Sequence, residues 1–261
     1  MKILFIGDIF GEVGKKAVLE KVPLFRLQQQ VDFVIANGEN VSKGKGIKIK
    51  EAHELFDCGV DVITSGNHAF DQDETEAYFR QEPRFIHPAN YNLLTPSKGW
   101  VICEVHSGIK IGVINLAGQI FMSPANCPFE CVDRLLKHEM QGDADIVIVD
   151  MHADASSECR AMGWHLEGRV AAVLGTHMHV QTADEEILPG GTAYITDVGM
   201  TGPYRSVIGM SVEGVLKKFR TGMKQRYIPA SEDVRFCALL LEVEENTGKA
   251  TSIQRIQERM K

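Results

Sequence analysis

The stretch KILFIGDIF, residues 2–10, carries a short apolar, β-branched run that stops at Gly7-Asp8. It is too short for the hydrophobic region of a signal peptide and far too short for a membrane span, so it is expected to be a buried first strand. The same unit recurs as VDFVIAN at 31–37, VDVITSG at 60–66, ADIVIVD at 144–150 and RVAAVLG at 169–175. Helix-like stretches over 12–29, 48–58 and 72–81 follow the first three runs. Runs apolar on both faces, alternating with helices, imply an α/β fold whose parallel strands are covered by helices. WVICEVHSG (100–108) and IKIGVINLAG (109–118) suggest a hairpin turning at Ser107-Gly108. Residues 192–195 and the pair 237–245 and 250–257, around Asn246-Thr247-Gly248, add β structure near the C-terminus. A second, more antiparallel sheet packed on the first is expected.

The chain has 261 residues, 44% hydrophobic and 24% charged, without a repeat or a Pro/Gly/Ser linker, which favours one domain over 1–261. Cys58, Cys103, Cys127, Cys131, Cys159 and Cys237 form no CxxC pair and no zinc-finger spacing, so reduced thiols in a cytoplasmic protein are expected. A formal net charge of −7 argues against bulk attraction to long nucleic acids or to anionic membranes. Small anionic ligands remain open, because a local cationic centre can outweigh the global charge. A homo-oligomer is the default subunit state.

Chemistry gathers where the apolar runs stop. The first ends at Asp8, the second at Glu39-Asn40, the third at Asn67-His68, the fourth at His152, and the fifth at His177 with His179 beyond. In open α/β sheets, ligands bind beyond the carboxyl ends of the strands. Singly, each residue has an ordinary alternative: Asp8 as a helix cap, Glu39, Asn40 and Asn67 as turn residues, His152 as a satisfied core histidine, the H-x-H pair as solvated loop residues. Five such coincidences at one end of five strands are harder to accept. If the backbone is extended at 177–179, the two imidazoles share a side, roughly 6 to 7 Å apart.

Asp8, Glu39, Asn40, Asn67, His152, His177 and His179 outnumber the four ligands of a single tetrahedral zinc, so two divalent cations are implied, with Glu39 the natural bridge. Oxygen and imidazole donors without thiolate suit iron or manganese, with zinc also admissible. Such a centre stays cationic and suits a phosphate ester.

At these residues the sequence resembles the calcineurin-like metallophosphoesterases, specifically their bacterial YmdB-type cyclic-nucleotide phosphodiesterase branch. The ordered motifs are Gly7-Asp8-Ile9-Phe10, Gly38-Glu39-Asn40, Gly66-Asn67-His68-Ala69, Met151-His152-Ala153-Asp154 and Gly175-Thr176-His177-Met178-His179. The branch-specific stretches are IGDIFG (6–11), ANGENVSKGKGI (36–47), TSGNHAFD (64–71) and TDVGMTGPYRSVIGM (196–210). Phe10 stands where the superfamily usually has a histidine ligand, and Glu39 replaces its bridging aspartate. The resemblance implies a four-layer α-β-β-α sandwich of two packed sheets. It places one metal on Asp8, Glu39, Asn40 and His179, and the other on Glu39, Asn67, His152 and His177. It implies hydrolysis of phosphodiesters of the 2′,3′-cyclic AMP type, by metal-hydroxide attack at phosphorus. His68, beside a ligand asparagine, is the candidate general acid for the departing alkoxide. The alternative for His68 is a hydrogen bond to a phosphate or a backbone carbonyl.

For the substrate, Lys43, Lys45, Lys48 and Lys50 follow Glu39 on a glycine-broken loop, where one lysine could steer phosphate although a solvated basic face is the commoner outcome. The loop carrying Asp197 is a candidate pocket wall, and Tyr204 a candidate contact for a nucleobase. A dinucleotide-dependent oxidoreductase is disfavoured, because Gly7, Gly11 and Gly14 do not have the G-x-G-x-x-G spacing and Asp8 would repel a pyrophosphate. A non-catalytic regulatory protein that binds metal or nucleotide is the other class retained.

Overall fold

The computed structural model describes residues 1–91, 97–105 and 108–261. Strand β1 (Lys2–Ile6) lies at the centre of a sheet, parallel to β3 (Phe33–Asn37), which pairs in parallel with β4 (Val62–Thr64). Between them run α1 (Gly11–Gln28), α2 (Ile49–Asp57) and, after β4, α3 (Thr75–Gln81), close to the expected bounds. The other edge of β1 is taken by β12 (Val234–Glu244), antiparallel, and β12 forms a hairpin with β13 (Lys249–Arg259). The short strand β2 (Asp8–Ile9) pairs in parallel with β11 (Met200–Pro203), which also joins β12.

The second sheet has the order β5 (Trp100–Glu104), β6 (Lys110–Ala117), β7 (Ile146–His152), β8 (Ala172–Thr176), β10 (Ala193–Ile195), β9 (Glu186–Ile187). β5 and β6 form the antiparallel hairpin foreseen, although its expected turn residue Ser107 lies outside the described residues. β6, β7, β8 and β10 are parallel neighbours. The expectation of a more antiparallel second sheet therefore fails. The five motif-bearing runs divide between two mixed sheets, because the C-terminal hairpin completes the free edge of β1 while β7 and β8 pair with β6.

Alternation along each strand builds the layers. Ile3, Phe5, Phe33 and Ile35 of one sheet meet Ile111, Val113, Ile146, Ile148 and Leu174 of the other in a central core. Leu4, Ile6, Val34 and Ala36 point the opposite way, onto Val18 and Val22 of α1 and Leu55 of α2. On the far side, Ile114, Val147, Val149 and Val173 pack on α4 (Pro128–Leu135) and α5 (Ser156–His165) through Val132, Leu135, Cys159 and Met162. This is the four-layer α-β-β-α sandwich, with both sheets hydrophobic on both faces. Helix α6 (Val212–Thr221) sits outside these layers and buries only Val215. All six cysteines are free thiols, and among the described residues no helix is long and apolar enough to cross a membrane.

Candidate active site

The carboxyl ends of β1, β3 and β4 in one sheet meet those of β7 and β8 in the other, and all seven residues singled out as ligands come together there. Asp8 is fully buried on β2, which explains why it does not cap α1: the N-cap is Phe10 and makes no side-chain cap. Asp8 Oδ2 accepts the backbone N–H of His177 at 3.1 Å, while buried Oδ1 has no hydrogen-bond partner among the described residues. Burial pushes the Asp8 carboxyl above its ordinary range despite the opposing pull of His179 and His152. An orphaned, buried carboxylate oxygen fits the role of a cation ligand.

His152, at the end of β7, is the hub. Its Nε2 lies 3.0 Å from Asn67 Oδ1, 3.1 Å from His177 Nδ1 and 3.2 Å from Glu39 Oε1. Candidate ligand atoms of Glu39, His152 and His177 lie within 4.8 Å of one another, so these groups could hold a metal ion. Gly66 makes the cradle: a Cβ there would come within 2.2 Å of His152 Cδ2 and 2.4 Å of Glu39 Oε2. Burial raises the Glu39 pKa, but the charge and hydrogen bond of His152, with the His68 charge and backbone N–H, hold it down at about 2. Burial lowers the pKa of His152, yet Glu39 and then Asp8 drive it up to about 9. His177, half-buried beside that charge, is held at about 3 and keeps its lone pair at neutral pH.

Asn40 and His179 form the second half. Asn40 Oδ1 lies 3.1 Å from His179 Nε2, whose Nδ1 faces the carbonyl of Ile208 at 3.0 Å. Phe10 packs edge-on against His179, ring centroids 5.7 Å apart, and supplies no donor. The extended backbone expected at 177–179 is not found. β8 stops at Thr176, and His177 and His179 have φ of 110° and 63°. Those positive angles separate the imidazoles, sending His177 to His152 and His179 to Asn40.

These groups floor a cavity of about 350 Å³, lined also by His68, Lys45, Asp154, Met210 and Tyr227. His68 Nδ1 lies 2.7 Å from Asp71 Oδ2, so the ring is held at one nitrogen and Nε2 is left for a ligand. Lys45 is the loop lysine that reaches the cavity; Lys43 and Lys48 are solvated, and Lys50 pairs loosely with Glu54 at 3.9 Å. Two expectations are corrected. Asp197 is no wall: fully buried, it clamps two loops by accepting the N–H groups of Met178 and Gly199, both at 2.7 Å. Tyr204 is turned away from the cavity, its hydroxyl 3.0 Å from Cys237 Sγ and its ring under Arg235. Tyr227, from a segment without any motif, is the tyrosine that lines the cavity among the described residues. Asp71 was legible within TSGNHAFD, three residues after His68, but its role was missed.

Over residues 4–256 the chain matches the model of the family described as YmdB-like protein. The chain belongs to the YmdB-like family. It is 42% identical to the 2′,3′-cyclic-nucleotide 2′-phosphodiesterase of Bacillus subtilis, over 98% of this chain and 96% of that one. Among solved structures, a Thermus thermophilus protein superimposes with a TM-score of 0.93 at 42% identity, covering 99% of each chain. A phosphatase of Mycoplasma pneumoniae gives the same TM-score at 32% identity, covering 99% of this chain and 93% of that one. The YmdB-like chain therefore shares its full length, not only its motifs, with these relatives.

Proposed function

We propose that this YmdB-like chain is a metal-dependent phosphodiesterase acting on 2′,3′-cyclic nucleotides. The observation that carries the reading is the convergence of Asn67 Oδ1, His177 Nδ1 and Glu39 Oε1 on His152 Nε2, beneath a cavity edged by His68 and Lys45. The Bacillus subtilis relative supports the ester chosen.

Two divalent cations would be held, one by Asp8, Glu39, Asn40 and His179 and the other by Glu39, Asn67, His152 and His177, with Glu39 shared. The donors are oxygen and imidazole, a set that suits iron or manganese before zinc. When bound, such ions supply positive charge to the phosphate oxygens and favour ionisation of water. The chain's own residues do the rest. Lys45 adds a cation at the cavity wall. Asp71 fixes the His68 ring through Nδ1, so Nε2 is the atom that gives a proton to the departing O2′. Water oxygen becomes bonded to phosphorus as the P–O2′ bond breaks, leaving a 3′-phosphomonoester and a free 2′-hydroxyl. No side-chain nucleophile is required, and among the described residues no cysteine lines the cavity. Partly screened from solvent, the site takes a small phosphodiester.

The test is turnover of 2′,3′-cyclic AMP by the manganese-loaded protein, beside a phosphomonoester and a linear diester. Chelator-sensitive release of the 3′-monophosphate is expected. Turnover indifferent to chelation would defeat the metal reading, and absence of turnover on every ester would leave only a binding protein.

A further inference from the structure

The cavity opens beside a segment that the proposed reaction leaves unused. Residues 212–229, VEGVLKKFRTGMKQRYIP, carry Lys217, Lys218, Arg220, Lys224 and Arg226 against a single acid, Glu213, in a chain whose formal net charge is −7. All five cations are exposed, and none has a carboxylate partner among the described residues. Elsewhere, by contrast, Arg26, Arg84, Arg160, Arg169, Arg235 and Arg259 each sit against a carboxylate. Two aromatic rings interleave with these charges. Phe219 is 77% exposed, and Tyr227, 37% exposed, is itself part of the cavity wall.

Backbone pairing joins the segment to the site. Ser211 N–H donates to the Ile228 carbonyl and Ala230 N–H to the Gly209 carbonyl, both at 2.8 Å, which folds the return strand beside Ile208 and Met210. Ile208 in turn accepts from His179. Lys218 Nζ stands 5.2 Å from the centroid of the Tyr227 ring, so the charged helix face and the cavity mouth are contiguous. Cations alternating with exposed aromatic rings are the surface on which single-stranded nucleic acid lies, phosphates on the cations and bases on the rings. A cavity of about 350 Å³ is near the lower end for small-molecule sites and holds only a terminal residue of such a strand.

We infer that the substrate class extends to short oligoribonucleotides ending in a 2′,3′-cyclic phosphate, with the preceding nucleotides lying along Lys217–Tyr227. The inference rests on the phosphodiesterase reading above. The chemistry is unchanged: water adds across the terminal P–O2′ bond, its oxygen to phosphorus and a proton to O2′, leaving a 3′-phosphate on the oligonucleotide.

The experiment compares 2′,3′-cyclic AMP with hexaadenylate carrying a terminal 2′,3′-cyclic phosphate, using the full chain loaded with manganese. The oligonucleotide should show a KM about ten-fold lower at low salt, converging on the mononucleotide at high salt; three neutralised phosphates give a log–log salt slope of about −2 for single strands. The triple variant Lys217→Glu/Arg220→Glu/Lys224→Glu should erase that advantage while mononucleotide turnover changes less than about two-fold. Phe219→Ala, which keeps every charge, should raise the oligonucleotide KM on the order of ten-fold, by loss of stacking. Mononucleotide turnover without any oligonucleotide preference, or a triple variant impaired equally on both, overturns this inference and leaves the phosphodiesterase reading standing. Loss of turnover on both esters removes that reading and this extension together. A basic helix exposing Leu216 and Phe219 also has the composition of a membrane-surface element. Capture of the protein by phosphatidylglycerol vesicles, with oligonucleotide kinetics unaffected by the triple variant, would assign the segment to lipid and refute the inference.

Discussion

Replacing Glu39 by Gln probes the centre without any metal. In the chelator-treated protein His152 is buried, which lowers its pKa, but Glu39 and Asp8 raise it from 6.5 to about 9. The folded state thus binds that proton more tightly than the unfolded chain. Its stabilisation is fully present below pH 6.5 and is lost as pH rises through 9. The Glu39 carboxyl, held at about 2 against 4.5, has the opposite sign: its contribution is present above pH 4.5 and lost as pH falls through 2. Both are in force between pH 4.5 and 6.5, but His177, held at about 3 against 6.5, costs stability through that window and none above it, so the metal-free protein should be most stable near pH 6.5. At about 1.36 kcal/mol per pH unit, the His152 share is on the order of 3 kcal/mol. The Glu39 share describes the same interaction from the other partner and is not added to it. Urea unfolding in the presence of chelator at pH 6, 7, 8 and 9.5 reads this directly. Wild type should lose on the order of 3 kcal/mol across that range, whereas Glu39→Gln should start lower by a similar amount at pH 6 and vary little with pH. A wild-type protein whose stability is flat from pH 6 to 9.5, or a Glu39→Gln variant with the wild-type slope, would refute the electrostatic account of the centre.

Three further outcomes follow from the same geometry. His68→Ala should lower kcat on 2′,3′-cyclic AMP by about 10²- to 10⁴-fold yet spare a p-nitrophenyl phosphodiester, whose leaving group needs no proton; Asp71→Asn should show the same selectivity more weakly. Equal losses on both esters would remove His68 from the acid role. Gly66→Ala places a methyl group against His152 and Glu39, so the purified variant should contain little metal by elemental analysis while unfolding cooperatively; wild-type metal content would contradict the cradle. Manganese binding at pH 7 must displace the His152 proton, so calorimetry in buffers of different ionisation enthalpy should report about one proton released, falling towards zero above pH 9.

The layered fold was legible because each buried strand announces itself as an apolar run, and α1 to α3 fell close to where the helix-like stretches placed them. Sheet membership was not. Nothing in KILFIG or CALLLEVEE specifies that β12 runs antiparallel beside β1, since each carries an apolar face that would satisfy many partners. The ligand-type residues were legible by kind and position, because side chains with donor atoms are out of place at the end of a buried run. The conformation of the H-x-H pair was hidden: positive φ at two non-glycine histidines runs against local preference, and only the surrounding structure holds it. Tyr227 was hidden for a different reason. It reaches the cavity through backbone pairing of 228–230 with 209–211, a contact that leaves no pattern in the sequence.

One supporting device did leave a trace. Asp150 and His152 are two residues apart on β7, so their side chains share a face. Thr176 Oγ1 lies 2.7 Å from Asp150 Oδ1 and 2.9 Å from His152 Nδ1. A hydroxyl has one proton, and Asp150 as a carboxylate can only accept it, so Thr176 donates to Asp150 and receives the Nδ1–H of His152. That leaves Nε2 as the nitrogen aimed at Asn67, Glu39 and His177. Burial pushes Asp150 up to about 6, opposed by the charge of His152 and by hydrogen bonds from Thr64 and Thr176, so the carboxylate form is supported from three sides. Asn37 Nδ2 adds a further contact at 3.2 Å. In the metal-free protein the proton on Nε2 then sits among three acceptor atoms that belong to three different strand ends. A proton is the smallest cation that satisfies them, and the tautomer fixed by Thr176 and Asp150 directs the same lone pair to a larger one when the proton leaves.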